Sequence, residues 1–490
     1  SHHVAQGGGA VMIDTNASRD HDSRLPLTAS VGPEGLLDYH RPRPLEITCR
    51  DDTHISRSVC NFNSPRTISV TGEAAPTSAQ TNSEAVFNLL NNCLGVTILE
   101  VAYTCKIVGL AYAIILYFIS AYVNRYTMHL VFRSCKLAGT SVSYADVAYK
   151  CLGRLGYAFV STSIILQCVS MNVAYTVTIA DVIIEAKQSS GSSGVSAWHG
   201  CALGTLLLTP FTLIRSMRGV AKVSAVATVA ALVETFLVAV PCYIDIMCGV
   251  TYAKHFDKEP GNIVWFYFSA DAFLSTLPMT ILCFANQGSS PVVLASLHDS
   301  SLENVKRVTG MTYVIVLIIV VLFGSSVYVR YTDLVTDNAL TTIGSSAISQ
   351  MARLSGFVLV FLSYIFMAVP TRHMVMSALL GKDEVLQEAS YAAFAVTTLI
   401  LNMTTCCLAA LAMAMGGLAT VLRISGSVCA TSLALIVPPL LFIFARAERE
   451  GWSRRVMCGD KGGLACILCA VVAAFLVSNA LLIADLWGAL

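Results

Sequence analysis

One long apolar segment of this chain is interrupted in its middle by polar and small residues. Residues 85–103 read AVFNLLNNCLGVTILEVAY, which is apolar enough to enter a bilayer. A helix that only contacted lipid would carry Leu, Ile and Val throughout, because Asn disfavours helix relative to Leu and Gly costs about 1 kcal/mol against Ala. Backbone freed at membrane depth is tolerated only where it is buried in protein or lines a wet cavity. The segment therefore predicts a broken helix. The interrupting residues are Asn88, Asn91, Asn92, Gly95 and Thr97.

The composition is that of a polytopic membrane protein. Of 490 residues, 55% are hydrophobic and 12% are charged, and the mean hydropathy is +0.67. Soluble domains carry about 25% charged residues. The net charge of +1 argues against nucleic acid as a partner, since phosphate binding needs a basic patch. No HExxH motif, paired catalytic carboxylates or phosphate-cradling glycine loop is found, so an enzyme is disfavoured.

The chain divides into a polar tail and a membrane domain. Residues 1–84 are rich in Ser, Pro, Gly and Arg without sustained periodicity, and are predicted to be a disordered cytosolic tail without a cleaved signal peptide. Residues 85–486 are predicted to form the transmembrane domain, with about 20 residues per span. The eleven apolar runs lie near 85–103, 107–132, 155–184, 199–216, 219–243, 262–286, 308–329, 350–372, 390–414, 418–445 and 464–486.

The charges in the loops predict the orientation. Lys and Arg are concentrated in the loops that share a side with the N-terminus, which places that side in the cytosol and the C-terminus outside. Cys466 and Cys469 form a CxxC inside the last apolar run and are interpreted as core packing. Cys201 and Cys248 fall near the predicted outer face, where they could pair.

The first ten spans can be divided into two repeats of five, in which spans 1 and 6 correspond. Span 6 carries Pro278 in its middle, flanked by Ser275, Thr276 and Thr280. Proline removes a backbone donor and clashes with the preceding turn. The pattern therefore predicts an all-α, 5+5 inverted repeat whose two halves each begin with a broken helix. An ordinary proline kink is the alternative for span 6.

These residues resemble the amino acid/auxin permease family, and within it the sodium-coupled neutral amino acid transporter branch. FNLLNNCLGVTILEVAY in span 1 is similar to the family's N-x-x-N-x-x-x-G-x-G-I-L segment, and LPMTILCFANQGSSPVVLASL at 277–297 resembles its sixth span. Gln167 and Tyr175, TPFTLIRSM at 209–217 and GSVCATSLALIVP at 426–438 occur in family order. The resemblance implies the LeuT fold with eleven spans and an amino acid substrate. There are two departures from the family. In span 1 the family's second glycine is Thr97 and a small residue three positions later is Glu100; after span 6 a His common in the neutral branch is Gln287.

The chemistry of an amino acid zwitterion suggests where it binds. Its carboxylate needs donors, and the backbone N–H groups of Gly95, Val96 and Thr97 follow the break in span 1. Its ammonium needs acceptors, which unwound carbonyls around Leu274, Ser275 and Leu277 could supply.

The resemblance also implies an ion site. The family's site uses the Asn of span 1 and a Thr of span 8, positions that are Asn91 and Ser363 here. A sodium ion needs several oxygen ligands. The alternative is that both residues hydrogen-bond between helices, as small polar residues commonly do in membranes.

Three acids fall at membrane depth and are functional candidates by default: Glu100, Glu234 and Asp271. Each could carry a proton, and Glu100 could instead face a cationic substrate side chain. Salt-bridged structural carboxylates are the alternative. Arg353 and Arg372, near the ends of span 8, are interpreted as structural or gating residues that snorkel to headgroups.

The leading hypothesis is a secondary active amino acid transporter in contact with membrane lipid and coupled to sodium or protons. It resides in the plasma membrane or in a vacuolar or lysosomal membrane. The second hypothesis is a transporter-like amino acid sensor that signals through its N-terminal tail, whose 84 residues are the feature that supports it.

Overall fold

The computed structural model describes residues 80–139, 143–189, 196–213, 220–248, 261–344, 346–380 and 391–450. Across these ranges the regular secondary structure is helical, apart from one isolated bridge between Gln80 and Leu297, and extended segments such as 261–269 join the helices. Residues 1–79, which hold most of the predicted tail, lie outside the described residues. So does the predicted eleventh span at 464–486 with Cys466 and Cys469.

The helices follow one another in the predicted order. They are α1 Asn82–Cys93, α2 Thr97–Val108, α3 Leu110–Ala138, α4 Tyr144–Ser189, α5 Ala197–Thr212, α6 Val220–Met247, α7 Ala270–Phe284, α8 Ser290–Ala295, α9 Leu302–Tyr331, α10 Ala339–Thr342, α11 Ala347–Leu380, α12 Tyr391–Ala414, α13 Gly417–Ile424 and α14 Val437–Glu450. A 3-10 turn, Thr332–Leu334, follows α9, and a π-helical segment, Ser425–Ile436, joins α13 to α14.

Each of the ten spans predicted before residue 450 coincides with a helix or a broken helix. By length and composition, six helices in the described ranges can cross a membrane, or up to seven if α1 and α2 count as one bent span. Helices α5 and α7 have only 16 and 15 residues. The predicted all-α membrane architecture is confirmed.

Span 1 is broken where the sequence predicts. Helix α1 ends at Cys93, α2 begins at Thr97, and their axes differ by 54°. Helix α1 begins at Asn82, before the apolar run that starts at residue 85. The Thr81 side chain and the Glu84 carboxylate cap α1 reciprocally, and Gln80 donates its N–H to the Ser296 carbonyl at 2.8 Å. A capping box satisfies two otherwise unpaired N–H groups, so the helix starts before the apolar run.

The prediction that span 6 breaks at Pro278 is wrong. Helix α7 runs through Pro278 to Phe284, and the break lies at residues 285–289, before α8. A proline deprives a helix of one hydrogen bond, whereas a true break must replace several. Here side chains do so: Gln287 Oε1 accepts from the N–H of Asn286 at 2.9 Å.

The suggested pairing of Cys201 with Cys248 is also not found. Both are free thiols; Cys201 is buried and Cys248 is exposed. Helix α4 begins well before the predicted third span, and Gly153, with φ of +70°, kinks it between a short segment and the span proper. Glycine adopts this left-handed conformation without steric cost.

Candidate functional site: the paired helix breaks

The break in span 1 lies beneath the ring of Tyr175 on α4. A methyl group on Gly95 would collide with the Tyr175 hydroxyl, so only glycine permits this approach. The same hydroxyl lies close to the backbone of Val96 and to the side chain of Ser363 on α11. Tyr175 therefore brings the break, α4 and α11 together at one buried point.

The start of α2 offers backbone donors at this point. Its N-cap residue, Val96, makes no side-chain capping hydrogen bond. The Thr97 hydroxyl instead donates back across the break to the Cys93 carbonyl at 2.9 Å. The first N–H groups of a helix have no intrahelical acceptor and carry the positive end of the helix dipole. The predicted donors Gly95, Val96 and Thr97 thus lie together at an end that favours an anion.

Two side-chain oxygens predicted to bind an ion are buried without partners. Asn91 is 5% exposed and Ser363 is 3% exposed. Within the described ranges, Asn91 Oδ1 and Ser363 Oγ make no hydrogen bond. Leaving a buried polar atom unsatisfied costs about 1–3 kcal/mol. For Asn91 a hydrogen bond between helices therefore has no support in this conformation, whereas the Ser363 hydroxyl faces the Tyr175 hydroxyl on α4.

The residues predicted to supply the ammonium site lie in continuous helix. Leu274, Ser275 and Leu277 belong to α7, and the Ser275 hydroxyl donates to the Ala272 carbonyl within that helix at 3.0 Å. The expected unwound carbonyls at these positions are therefore not observed. Their role in substrate binding stays a prediction.

The second break, which the sequence reasoning missed, lies against α1. Asn286 Nδ2 donates to the Leu89 carbonyl at 3.0 Å, and Asn92 Nδ2 donates to Ser289 Oγ at 2.9 Å. The polar run ANQGSS at 285–290, directly after an apolar stretch, is the signal that would have located it.

Gln287, singled out as a departure from the family pattern, holds the second break to α3. Its Nε2 donates to Asn124 Oδ1 at 3.2 Å and to Thr127 Oγ1 at 3.1 Å. Gln287 is 1% exposed. An amide with partners on both its oxygen and its nitrogen fixes the local backbone, which is a structural task.

Glu100 lies one turn into α2 and is nearly fully buried. Its Oε1 accepts a hydrogen bond from Thr104 Oγ1 at 2.5 Å. Arg423 at the end of α13 and Asp337 lie within electrostatic reach. Arg423 is distant from Glu100 in the sequence, so its proximity to Glu100 could not be predicted from a local sequence pattern.

The other two acids differ in their surroundings. Glu234 on α6 is fully buried, and within the described residues neither carboxyl oxygen makes a hydrogen bond. It packs against the backbone of α11, where a Cβ at Gly356 would lie 2.7 Å from Glu234 Oε1. Asp271 is exposed in the first turn of α7, and its role as a proton carrier stays a prediction.

The two arginines of span 8 make structural contacts. Arg353 forms an ion pair with Glu185 at 2.9 Å, which joins α11 to α4. Arg372 is buried; its Nη1 donates to the Thr212 carbonyl at 3.0 Å, and its guanidinium lies 4.2 Å from the centre of the Phe394 ring. Arg372 therefore does not snorkel to headgroups as expected, because carbonyl and ring partners replace water.

A helical membrane bundle with two broken spans, in which the second break packs against the first half of the broken first span, defines the class of α-helical membrane transporters. Residues 78–483 match the family model described as "Transmembrane amino acid transporter protein". The chain therefore belongs to this family, and the predicted resemblance and amino acid transport are confirmed.

Individual relatives agree with the family. The chain is 23% identical over 404 residues to "Putative sodium-coupled neutral amino acid transporter 11" of Rattus norvegicus, covering 81% of this chain and 83% of the relative. It is 24% identical over 368 residues to "Vacuolar amino acid transporter 5" of Schizosaccharomyces pombe, covering 74% and 83%.

A solved structure agrees in fold. MHP1, a nucleobase-cation-symport-1 family transporter in a closed conformation with bromovinylhydantoin bound, superimposes with a TM-score of 0.52 at 12% identity. The match covers 87% of this chain and 93% of that chain. It supports the LeuT-like architecture with its broken first and sixth spans.

Proposed function

We propose that this chain is a secondary active amino acid transporter that couples substrate movement to sodium at the break in span 1. The observation that supports this proposal is that two buried side-chain oxygens, Asn91 Oδ1 and Ser363 Oγ, have no hydrogen-bond partner among the described residues. A bound cation would satisfy both, and hard cations bind to side-chain and carbonyl oxygens. One relative is named for sodium coupling. The Tyr175 hydroxyl, close to Ser363 and against Gly95, links this ion site to the substrate donors.

The substrate carboxylate is proposed to bind at the start of α2. Gly95, Val96 and Thr97 would donate backbone N–H groups, and no side-chain cap competes for them. The ammonium would lie towards α7, near Leu274, Ser275 and Leu277. Both groups of contacts are mainly made by backbone atoms, which a side-chain substitution does not remove. Substitutions of the side chains at the ion site therefore test the arrangement more sharply.

The test is sodium titration of amino acid uptake into proteoliposomes. Asn91→Ala and Ser363→Ala each remove one oxygen ligand, and a hydrogen bond to a charged group contributes about 1.5–3 kcal/mol. Each variant should therefore raise the half-saturating sodium concentration about tenfold or more, with little change in the preference among amino acids.

Matched controls lie on the same helices. Ser355→Ala removes an ordinary hydrogen bond from α11 to the Ala230 carbonyl, and Asn88→Ala removes one to Gln80 on the N-terminal side of α1. Both should leave the sodium requirement unchanged. Uptake by the unaltered protein that ignores sodium would overturn the assignment.

Proton coupling is the second candidate, and Glu234 favours it. A fully buried carboxyl without hydrogen-bond partners is very costly in its charged form. Two results together would establish this alternative. Uptake by the unaltered protein would be independent of sodium and driven by a pH gradient, and uptake by Glu234→Gln would not respond to that gradient.

The proposal includes a cytosolic N-terminus and residence in the plasma membrane or in a vacuolar or lysosomal membrane, as one relative is named vacuolar. Concentrative uptake separates a transporter from a sensor. A sensor would bind the amino acid without accumulating it.

A further inference from the structure

A cluster of cations lies where α3 and α9 pack together near one membrane surface. Arg125, His129 and Arg133 follow one another along α3 at four-residue intervals, which places them on one face of the helix. His129 Nε2 lies 2.8 Å from Thr309 Oγ1 on α9, and Lys306 begins the same helix. The three permanent cations all act electrostatically on His129, so the four side chains form one group.

Within the described part of the chain, Arg125, Arg133 and Lys306 form no ion pair with an acidic residue. Lys136, the next cation on α3, is engaged differently: it donates to the Ser300 carbonyl at 2.7 Å and lies 5.0 Å from the centre of the Phe132 ring. Among the described residues, the group therefore carries positive charge that no ion pair neutralises.

The position of Arg125 is fixed by a glycine. A Cβ on Gly310 would lie 2.8 Å from Arg125 Nη2 and 3.3 Å from its Cζ. The guanidinium thus packs directly on the backbone of α9. This contact holds a charged side chain between two membrane helices instead of leaving it extended into water.

The surface next to the cations is apolar and exposed. On α3, Phe118 and Tyr122 are 55% and 72% exposed and lie on the face that continues into Arg125. On α9, Met311, Val314 and Ile318 are each more than half exposed and follow Lys306 along the helix. Both helices therefore expose apolar side chains for acyl chains on the same stretches that carry cations for negative charge.

We propose that the α3–α9 surface binds a phospholipid with an anionic headgroup. Arg125, Arg133 and Lys306 contact its phosphate groups, and the apolar residues of both helices contact its acyl chains. Basic pockets between membrane helices recognise such headgroups through the same combination of charge and apolar contact. The binding is independent of the amino acid and ion sites at the helix breaks.

Native mass spectrometry of the purified full-length chain tests the proposal, with phosphatidylinositol 4-phosphate and phosphatidylcholine of equal acyl chains as probes. The unaltered protein should retain one phosphatidylinositol 4-phosphate in preference to phosphatidylcholine. The triple variant Arg125→Gln, Arg133→Gln, Lys306→Gln should bind it more weakly by roughly fivefold for each cation removed. A control triple variant, Lys150→Gln, Arg154→Gln, Arg449→Gln, removes the same charge from exposed positions elsewhere and should retain the lipid.

A second variant keeps every cation. Gly310→Ala should displace the Arg125 guanidinium and weaken retention of the lipid severalfold.

If the first triple variant does not fold, Lys306→Gln alone replaces it in the test, because its side chain is exposed. Equal retention in the cluster variants and the controls would overturn the proposal. So would equal loss in both triple variants, which would indicate diffuse charge attraction. Displacement of the lipid by soluble inositol 1,4-bisphosphate at the same concentration would show that the apolar surface contributes nothing, and would also overturn it.

Discussion

At the scale of single residues, Glu100 carries the sharpest question about specificity. It is buried one turn past the break in span 1, and Thr104 donates to one of its oxygens. An isolated charged carboxylate in such a place is very costly, so it must be neutral or face a positive group. Arg423 and Asp337, which carry opposite charges, both lie within electrostatic reach. A cationic substrate side chain would bring a further positive charge to this point.

Glu100→Gln tests this role, because the amide keeps the volume and an acceptor for Thr104. If Glu100 faces the substrate side chain, uptake of lysine and arginine should fall about tenfold or more, the effect expected when a hydrogen bond to a charged group is lost. Uptake of neutral amino acids should be preserved. Glu303→Gln, exposed at the start of α9, is the matched control. A flattened pH dependence for every substrate would instead identify a proton carrier. No change in either property would leave only a structural role.

At the scale of helices, apolar length was enough to locate all ten described spans, but not the second break. The first break could be predicted because Gly95 and three asparagines interrupt the same apolar run. In span 6, Pro278 was a more conspicuous residue than the polar run at 285–290. The partner that stabilises the real break is the carbonyl of Leu89, almost 200 residues away. No local pattern reveals such a partner, and the same holds for Tyr175 over Gly95.

The intact α7 makes a close contact that the sequence also did not predict. Gly426, in the π-helical segment, approaches the Pro278 carbonyl so closely that a Cβ would overlap it. Both groups belong to backbone, so neither can move away as a flexible side chain would. π-Helical turns are frequent at functional sites. Here the segment brings span 10 onto span 6.

Gly426→Ala should therefore destabilise the protein or shift span 10 away from α7. Overpacking of a tight interior typically costs about 1–3 kcal/mol. We expect a lower thermal midpoint for the purified protein and reduced uptake. Gly288→Ala is the matched control, because the nearest atom to its Cβ would be 3.9 Å away. An unchanged midpoint and unchanged uptake in Gly426→Ala would contradict the observed packing.

At the scale of the whole molecule, the exposed lysines and arginines are distributed unequally between the two ends of the bundle. Lys136, Lys150, Arg154, Lys306, Arg307 and Arg449 lie at the end where α3 finishes and α9 begins. Only Lys106 and Lys187 are exposed at the opposite end within the described ranges. Since Lys and Arg in short loops favour the cytosolic side, the first end is expected to face the cytosol, together with the start of α1.

Labelling with a membrane-impermeant maleimide tests this orientation in a background without other cysteines. A cysteine at the exposed position Arg154 should be protected in intact cells and labelled once the plasma membrane alone is permeabilised, whichever membrane holds the protein. Cys248, exposed at the far end of α6, should gain no labelling at that step. At the plasma membrane Cys248 is labelled already in intact cells, and in a vacuolar or lysosomal membrane it is labelled only after full solubilisation.

Because consecutive spans alternate in direction, these two positions report on opposite ends of the bundle. Protection of Arg154→Cys after permeabilisation, or its labelling in intact cells, would contradict the cytosolic assignment of the N-terminus.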